Sequence, residues 1–93
     1  MRNASKNNER RLYSAILSLN NHKDCKAFLC DLLTPNERNV LTQRIEIAEL
    51  ITRGLTYAEI SEITQASTAT ISRVSKSLCY GTGGLMSVLE KIQ

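Results

Sequence analysis

Twice in this chain a Thr is followed three residues later by a Glu at the mouth of an apolar run, at Thr34-Pro35-Asn36-Glu37 and again at Thr56-Tyr57-Ala58-Glu59. In such a pair the hydroxyl accepts the backbone N–H of the third residue while the carboxylate reaches back to the N–H of the Thr, so each pair fixes a helix start. Pro35 sits at the first helical position, where its missing N–H is harmless. Gly54 closes the first of these helices only two residues before the second box, which forces a tight connection. Apolar residues elsewhere recur at three and four, and no stretch alternates in the manner of a strand. The spacing predicts an all-α chain.

Leu12, Ile16 and Leu19, widened by Tyr13 and Leu17, predict a first helix that Asn20-Asn21-His22 interrupts. Asp24 is read as the cap of a short second helix carrying Cys25, Ala27, Phe28, Leu29, Cys30, Leu32 and Leu33, buried on most sides. After Thr56 a helix too short to stand alone stops near Gln65. Ser67 or Thr68 opens the next, which runs to about Leu78, and beyond a hinge at Gly81, Gly83 and Gly84 the stretch from Leu85 to Ile92 forms the last. Residues 1–8 are polar and aperiodic and are expected to be a flexible arm, leaving residues 9–93 as one helical domain. A chain of 93 residues hides only about 60–65% of its unfolded surface. Dimerisation relieves that shortage.

The net charge is +3, from 12 Lys and Arg against 9 Asp and Glu, which permits a nucleic-acid partner without requiring one. With no Trp, one Phe and three Tyr, the platforms on which single-stranded bases stack are scarce, so duplex DNA fits better. No apolar run approaches the roughly 18 residues of a membrane span, and the polar start lacks the hydrophobic core of a secretion signal. A soluble, cytoplasmic protein is expected. Cys25, Cys30 and Cys79 are odd in number and read as reduced core thiols. Positions 25 and 30 diverge by about 140° on a helix, so no metal site is expected, and no cofactor. No Ser/His/Asp or Cys/His set can be assembled around His22, the sole histidine, so an enzyme is not expected.

The function-bearing segment is residues 56–78, two short helices joined by about three residues in the pattern of a helix-turn-helix. Ile60, Ala66, Ile71 and Val74 fall where the two helices must pack, and Ser61 supplies the small side chain of a close crossing. Gln65 occupies the turn position that is often Gly. Along the second helix Ile71, Val74 and Leu78 keep the spacing of a buried face, leaving Ala69, Thr70, Ser72, Arg73 and Lys76 outward. A helix entering a major groove needs small leading residues, hydroxyls for base edges or phosphates, and cations for the backbone. Thr68, Ala69, Thr70 and Ser72 supply the first two, and Arg73 and Lys76 the third, with Arg73 also suited to guanine. No Asp or Glu lies between Gln65 and Glu90. Double-stranded DNA is the expected partner. A protein-interaction or scaffolding module built on the same helix pair is the alternative from another class.

Arg44 stands out on the helix that begins at Pro35. With Val40 set at zero, Ile47, Ile51, Ala48, Leu41 and Ile45 cover an arc of about 160°, and Arg44 falls inside it at about 40°. A cation pointing into apolar surroundings needs an anionic partner, either an internal carboxylate or the carboxylate of a small effector. Leu50, off that stripe at about 280°, makes the helix apolar on more than one side and suggests packing between molecules.

Leu33-Thr34-Pro35-Asn36-Glu37-Arg38, Arg44-Ile45, Arg53-Gly54 and Ala69-Thr70-Ile71-Ser72-Arg73, in that order and at near-constant spacing, resemble the core of the Trp repressor superfamily. The likeness covers about residues 33–78. With Cys79-Tyr80-Gly81 and a short last helix it resembles the YerC/YecD branch. The resemblance implies an intertwined all-α homodimer whose paired recognition helices lie one duplex turn apart. That is the architecture of a sequence-specific transcriptional regulator, acting as a repressor. It also implies that Arg44 and Arg73 grip a small carboxylate-bearing effector, and that Thr56 and Tyr57 touch DNA. The position of Val74 is glycine in the Trp repressor, beneath the indole of its corepressor, so an effector other than tryptophan is implied. Arg73 thus carries two assignments, groove cation by periodicity and ligand clamp by resemblance.

Overall fold

The computed structural model describes residues 6–93 and is helical throughout apart from turns. Its order is α1 (Lys6–Leu17), α2 (His22–Leu32), α3 (Pro35–Thr52), α4 (Tyr57–Thr64), α5 (Thr68–Tyr80) and α6 (Gly84–Ile92). Two compact units divide the chain between Arg38 and Asn39. The expected arm at residues 1–8 lies outside the described residues except at its end, where α1 already begins at Lys6.

In the first unit, α2 starts earlier than its sequence suggests. Asn21, not Asp24, is the cap: its backbone is extended, with φ at −155°, and its Oδ1 accepts the Asp24 N–H at 2.9 Å. Asp24 occupies the third helical position and answers through Oδ2, which accepts from Asn21 Nδ2 at 3.1 Å. Two competent caps stand three residues apart, and the earlier one gains a whole turn of helix. The far end of α2 is closed by Arg38, whose Nη1 donates to the Leu33 carbonyl at 3.1 Å. Contrary to the sequence reading, no residue of α2 is buried within the chain. Cys30 is exposed and Cys25 half-buried, so neither is a core thiol of the chain alone, and the exposed Cys79 of the second unit is not one either.

Both capping boxes form. Glu37 N–H donates to Thr34 Oγ1 at 3.2 Å while Glu37 Oε1 accepts from Thr34 N–H at 2.9 Å. Glu59 and Thr56 repeat the exchange at 3.2 and 2.8 Å. The backbone N–H that each carboxylate accepts, and then the Thr hydroxyl, hold Glu37 and Glu59 below the ordinary carboxylate range. A carboxylate whose folded pKa is depressed stabilises the fold fully above its unfolded value, and that contribution is lost as pH falls through the folded one. The helices are therefore expected to weaken together on acidification below about pH 4.5. Thr56→Ala removes the hydroxyl but keeps the backbone N–H that Glu59 accepts, so it should reduce, without abolishing, the α4 share of that acid response and cost about 1 kcal/mol at neutral pH, read by thermal melts at neutral and acidic pH.

The second unit holds one core: Ile47 and Ala48 of α3, Ile60 of α4, Ala66 of the turn, Ile71, Val74 and Leu78 of α5, and Leu89 of α6. Leu50 and Leu55 pack against it from the side. Leu50 thus belongs to the chain's own core, which removes the sequence argument that its off-stripe position signals an intermolecular face. Gly54 turns the chain between α3 and α4 at φ +86°, a conformation costly to any residue with a Cβ. Gln43 Nε2 ties α3 to the end of α4 by donating to the Thr64 carbonyl at 3.1 Å. Among the described residues no helix is long and apolar enough to cross a membrane.

Candidate nucleic-acid interface

The pairing of α4 with α5 rests on residues that the sequence singles out. Ile60 and Ile71 are fully buried, and Ala66 and Val74 nearly so. Ser61 is small enough for the crossing and also stitches it, its Oγ donating to the Ala66 carbonyl at 2.8 Å. Gln65 takes the left-handed conformation, φ 64° and ψ 14°, and its N–H closes α4 onto the Ser61 carbonyl at 2.8 Å. That non-glycine residue costs on the order of 1 kcal/mol or more there. Ser67 then caps α5, its Oγ accepting the Thr70 N–H at 3.2 Å.

With Ile71, Val74 and Leu78 turned inward, the opposite face of α5 is fixed. At about 100° per residue, Ala69, Arg73, Lys76 and Tyr80 lie within about 40° of one line, some 130–175° from the mean direction of the buried three. Ser72 and Ser77 flank the line. These side chains and Gly81 outline an open concavity of about 590 Å³. Of the residues assigned to DNA from sequence, Ala69, Ser72, Arg73 and Lys76 share this surface. Thr68 is exposed at the leading end. Thr70 is half-buried and engaged with the cap, its Oγ1 accepting from Ser67 Oγ at 3.1 Å. Thr56 and Tyr57 lie exposed at the start of α4, where the Thr56 hydroxyl accepts from Glu59 N–H.

Arg44 is not buried in apolar surroundings, as its place in the α3 stripe suggests, but exposed. Only the later part of that stripe is covered, by Ile47 and Ala48, whereas Val40, Leu41 and Ile45 remain more than a third exposed. Arg44 instead lines a cavity of about 460 Å³ between α3, α5 and α6. Leu41, Ile45, Val74 and Leu85 form its apolar wall, Arg44, Arg73 and Ser77 its polar lining, and among the described residues no acidic one lines it. Arg73 and Ser77 border both this cavity and the outer concavity. The two assignments of Arg73 therefore fall on adjoining surfaces. Tyr80 lies beyond the expected end of α5 near Leu78, and extending the same period two residues finds it; Ser77, inside the expected helix, and Leu85, at the start of the last one, carry no sequence signal that sets them at a site.

The chain belongs to the Trp repressor family, whose model, described as Trp repressor protein, matches residues 8–93. It is similar to the uncharacterized protein YerC of Bacillus subtilis (strain 168), 43% identical over 82 residues that span 88% of this chain and 79% of that one. Two solved structures resemble it closely. A TrpR-like protein from Eubacterium eligens ATCC 27750 superposes with a TM-score of 0.87 at 43% identity, over 95% of this chain and 90% of that one. A protein from Staphylococcus aureus described as a putative Trp repressor gives 0.89 at 41% identity, over 95% and 88%. The likeness legible at residues 33–78 thus extends over nearly the whole chain, and it includes the YerC-type branch.

Proposed function

We propose that this chain is a sequence-specific, double-stranded DNA-binding transcriptional regulator, a repressor that works in the cytoplasm as a homodimer and reads DNA through a helix-turn-helix formed by α4 and α5. The observation that carries the reading is the α5 face: small residues lead, hydroxyls flank, Arg73 and Lys76 follow, and no acidic residue occurs from Ala66 to Leu89 to neutralise them. Family membership supports it, because the Trp repressor family is one of DNA-binding regulators rather than enzymes. In this reading Thr68, Ala69, Thr70 and Ser72 meet base edges or phosphates, Arg73 and Lys76 meet phosphates, and Thr56 and Tyr57 contact the backbone.

Homodimerisation is supported by apolar surface that the chain leaves bare. In the first unit Leu12, Tyr13, Ile16, Leu17 and Leu32 are all more than 40% exposed, apolar surface that a second copy of the chain would cover. The cavity bearing Arg44 and Arg73 supports a small carboxylate-bearing effector. Its occupant is not tryptophan in this reading, because Val74 lines the wall where the family's repressor has glycine.

Binding of a labelled random duplex across a salt series tests the reading. Affinity is expected to fall linearly on logarithmic axes as salt rises. Lys76→Ala should weaken binding to all sequences alike and lower the salt slope by about one. A slope unchanged by that substitution would place Lys76 in solvent rather than on a phosphate. No binding at low salt would remove the DNA reading itself.

A further inference from the structure

Tyr80 is the most exposed large hydrophobic residue of the second unit, at 87%. It is the last residue of α5, and it stands on the same outward line as Ala69, Arg73 and Lys76, sharing their concavity. Gly81 N–H closes onto the Ser77 carbonyl at 3.1 Å, and a Cβ at Gly81 would run into that same carbonyl oxygen. Glycine thus ends the helix directly after Tyr80, whose place on the cationic face is set by the period of α5.

We propose that Tyr80 is a DNA-backbone contact, its phenol hydroxyl donating to a phosphate at the rim of the groove that α5 enters. This rests on the duplex-binding reading above. Length decides between base and phosphate. At 1.5 Å per residue, Tyr80 lies about 16 Å along the helix from Ala69, whereas a major groove is about 12 Å wide. A helix whose leading end sits among the bases therefore carries its eleventh following residue out to the sugar–phosphate wall. Lys76, about one helical turn nearer, brings a cation to the same wall. A neutral donor there adds affinity without releasing a counterion, so it leaves a signature distinct from that of a cation.

Tyr80→Phe removes only the hydroxyl from a side chain that the core does not use. The variant, with helix content checked by circular dichroism, is compared with wild type on the same random duplex over the same salt series. Affinity is expected to drop roughly tenfold at every salt concentration, as for loss of a hydrogen bond to a charged group, with the salt slope unchanged. Wild-type affinity in the Phe variant would overturn the assignment of Tyr80 while leaving duplex binding intact. A changed slope would overturn it too, since a neutral phenol neutralises no phosphate. A wild-type chain without duplex affinity would overturn both readings together.

Discussion

Ile71→Ala should remove about 2–5 kcal/mol of stability, an effect matched only by truncating the other fully buried core residues such as Ile47 and Ile60. Ile71 is fully buried where α5 meets α4, and the core around it is one cluster, with no second core in the unit to compensate. A domain of this size has only about 5–15 kcal/mol in all, so the melting temperature should fall by about 10 °C or more. Duplex affinity should go with it, because the outward line of α5 exists only while the inward one is packed. Ile63→Ala, at a site 54% exposed on α4, should move stability by less than about 0.5 kcal/mol. Thermal melts of the two variants check the contrast. Equal losses would mean that α4 and α5 are not held by this core.

Arg73→Met should have the largest effect on binding without unfolding the chain. Arg73 is exposed, and it borders both the outer concavity and the cavity that holds Arg44, so one substitution should damage two activities. Duplex affinity is expected to fall about 10-fold or more, the scale of a lost charge-assisted hydrogen bond. Stabilisation by small carboxylates, read as a thermal shift across a panel, should vanish as well. Arg44→Met separates the two. It lines only the inner cavity, so it should abolish the carboxylate response and leave effector-free duplex affinity unchanged. If Arg44→Met weakened effector-free duplex binding as much as Arg73→Met, the inner cavity would not be a separate effector site. A wild type that no carboxylate stabilises would leave Arg44 without an effector.

Local chemistry was legible in the sequence, and burial that depends on distant partners was not. The two capping boxes and the turn at Gln65 depend on neighbours within a few residues, and the inward set Ile60, Ala66, Ile71 and Val74 on the packing of two consecutive helices; each is where its spacing puts it. Asn21 against Asp24 was a contest between two good caps, which side-chain type alone does not decide. The exposure of Arg44 and the packing of Leu50 differ from their helical-wheel positions for another reason. A helical wheel says which residues share a face but not what lies opposite it. Leu50 found the chain's own core, while Ile45 and Leu41, on the nominal stripe, found no cover within the chain. α5 ends at Tyr80, two residues beyond the expected Leu78, because Gly81 itself is the helix stop and the period of Ile71, Val74 and Leu78 carries no signal of where the helix ends.

The central claim is that the outward line of α5 lies against duplex DNA. It is tested most directly by following the backbone amide resonances of the intact protein as a short random duplex is titrated in at low salt. The largest shifts are expected from Thr68 to Tyr80 and at the start of α4, with α6 little affected. Saturating shifts confined to α1, α2 or α6, with α5 unmoved, would contradict it.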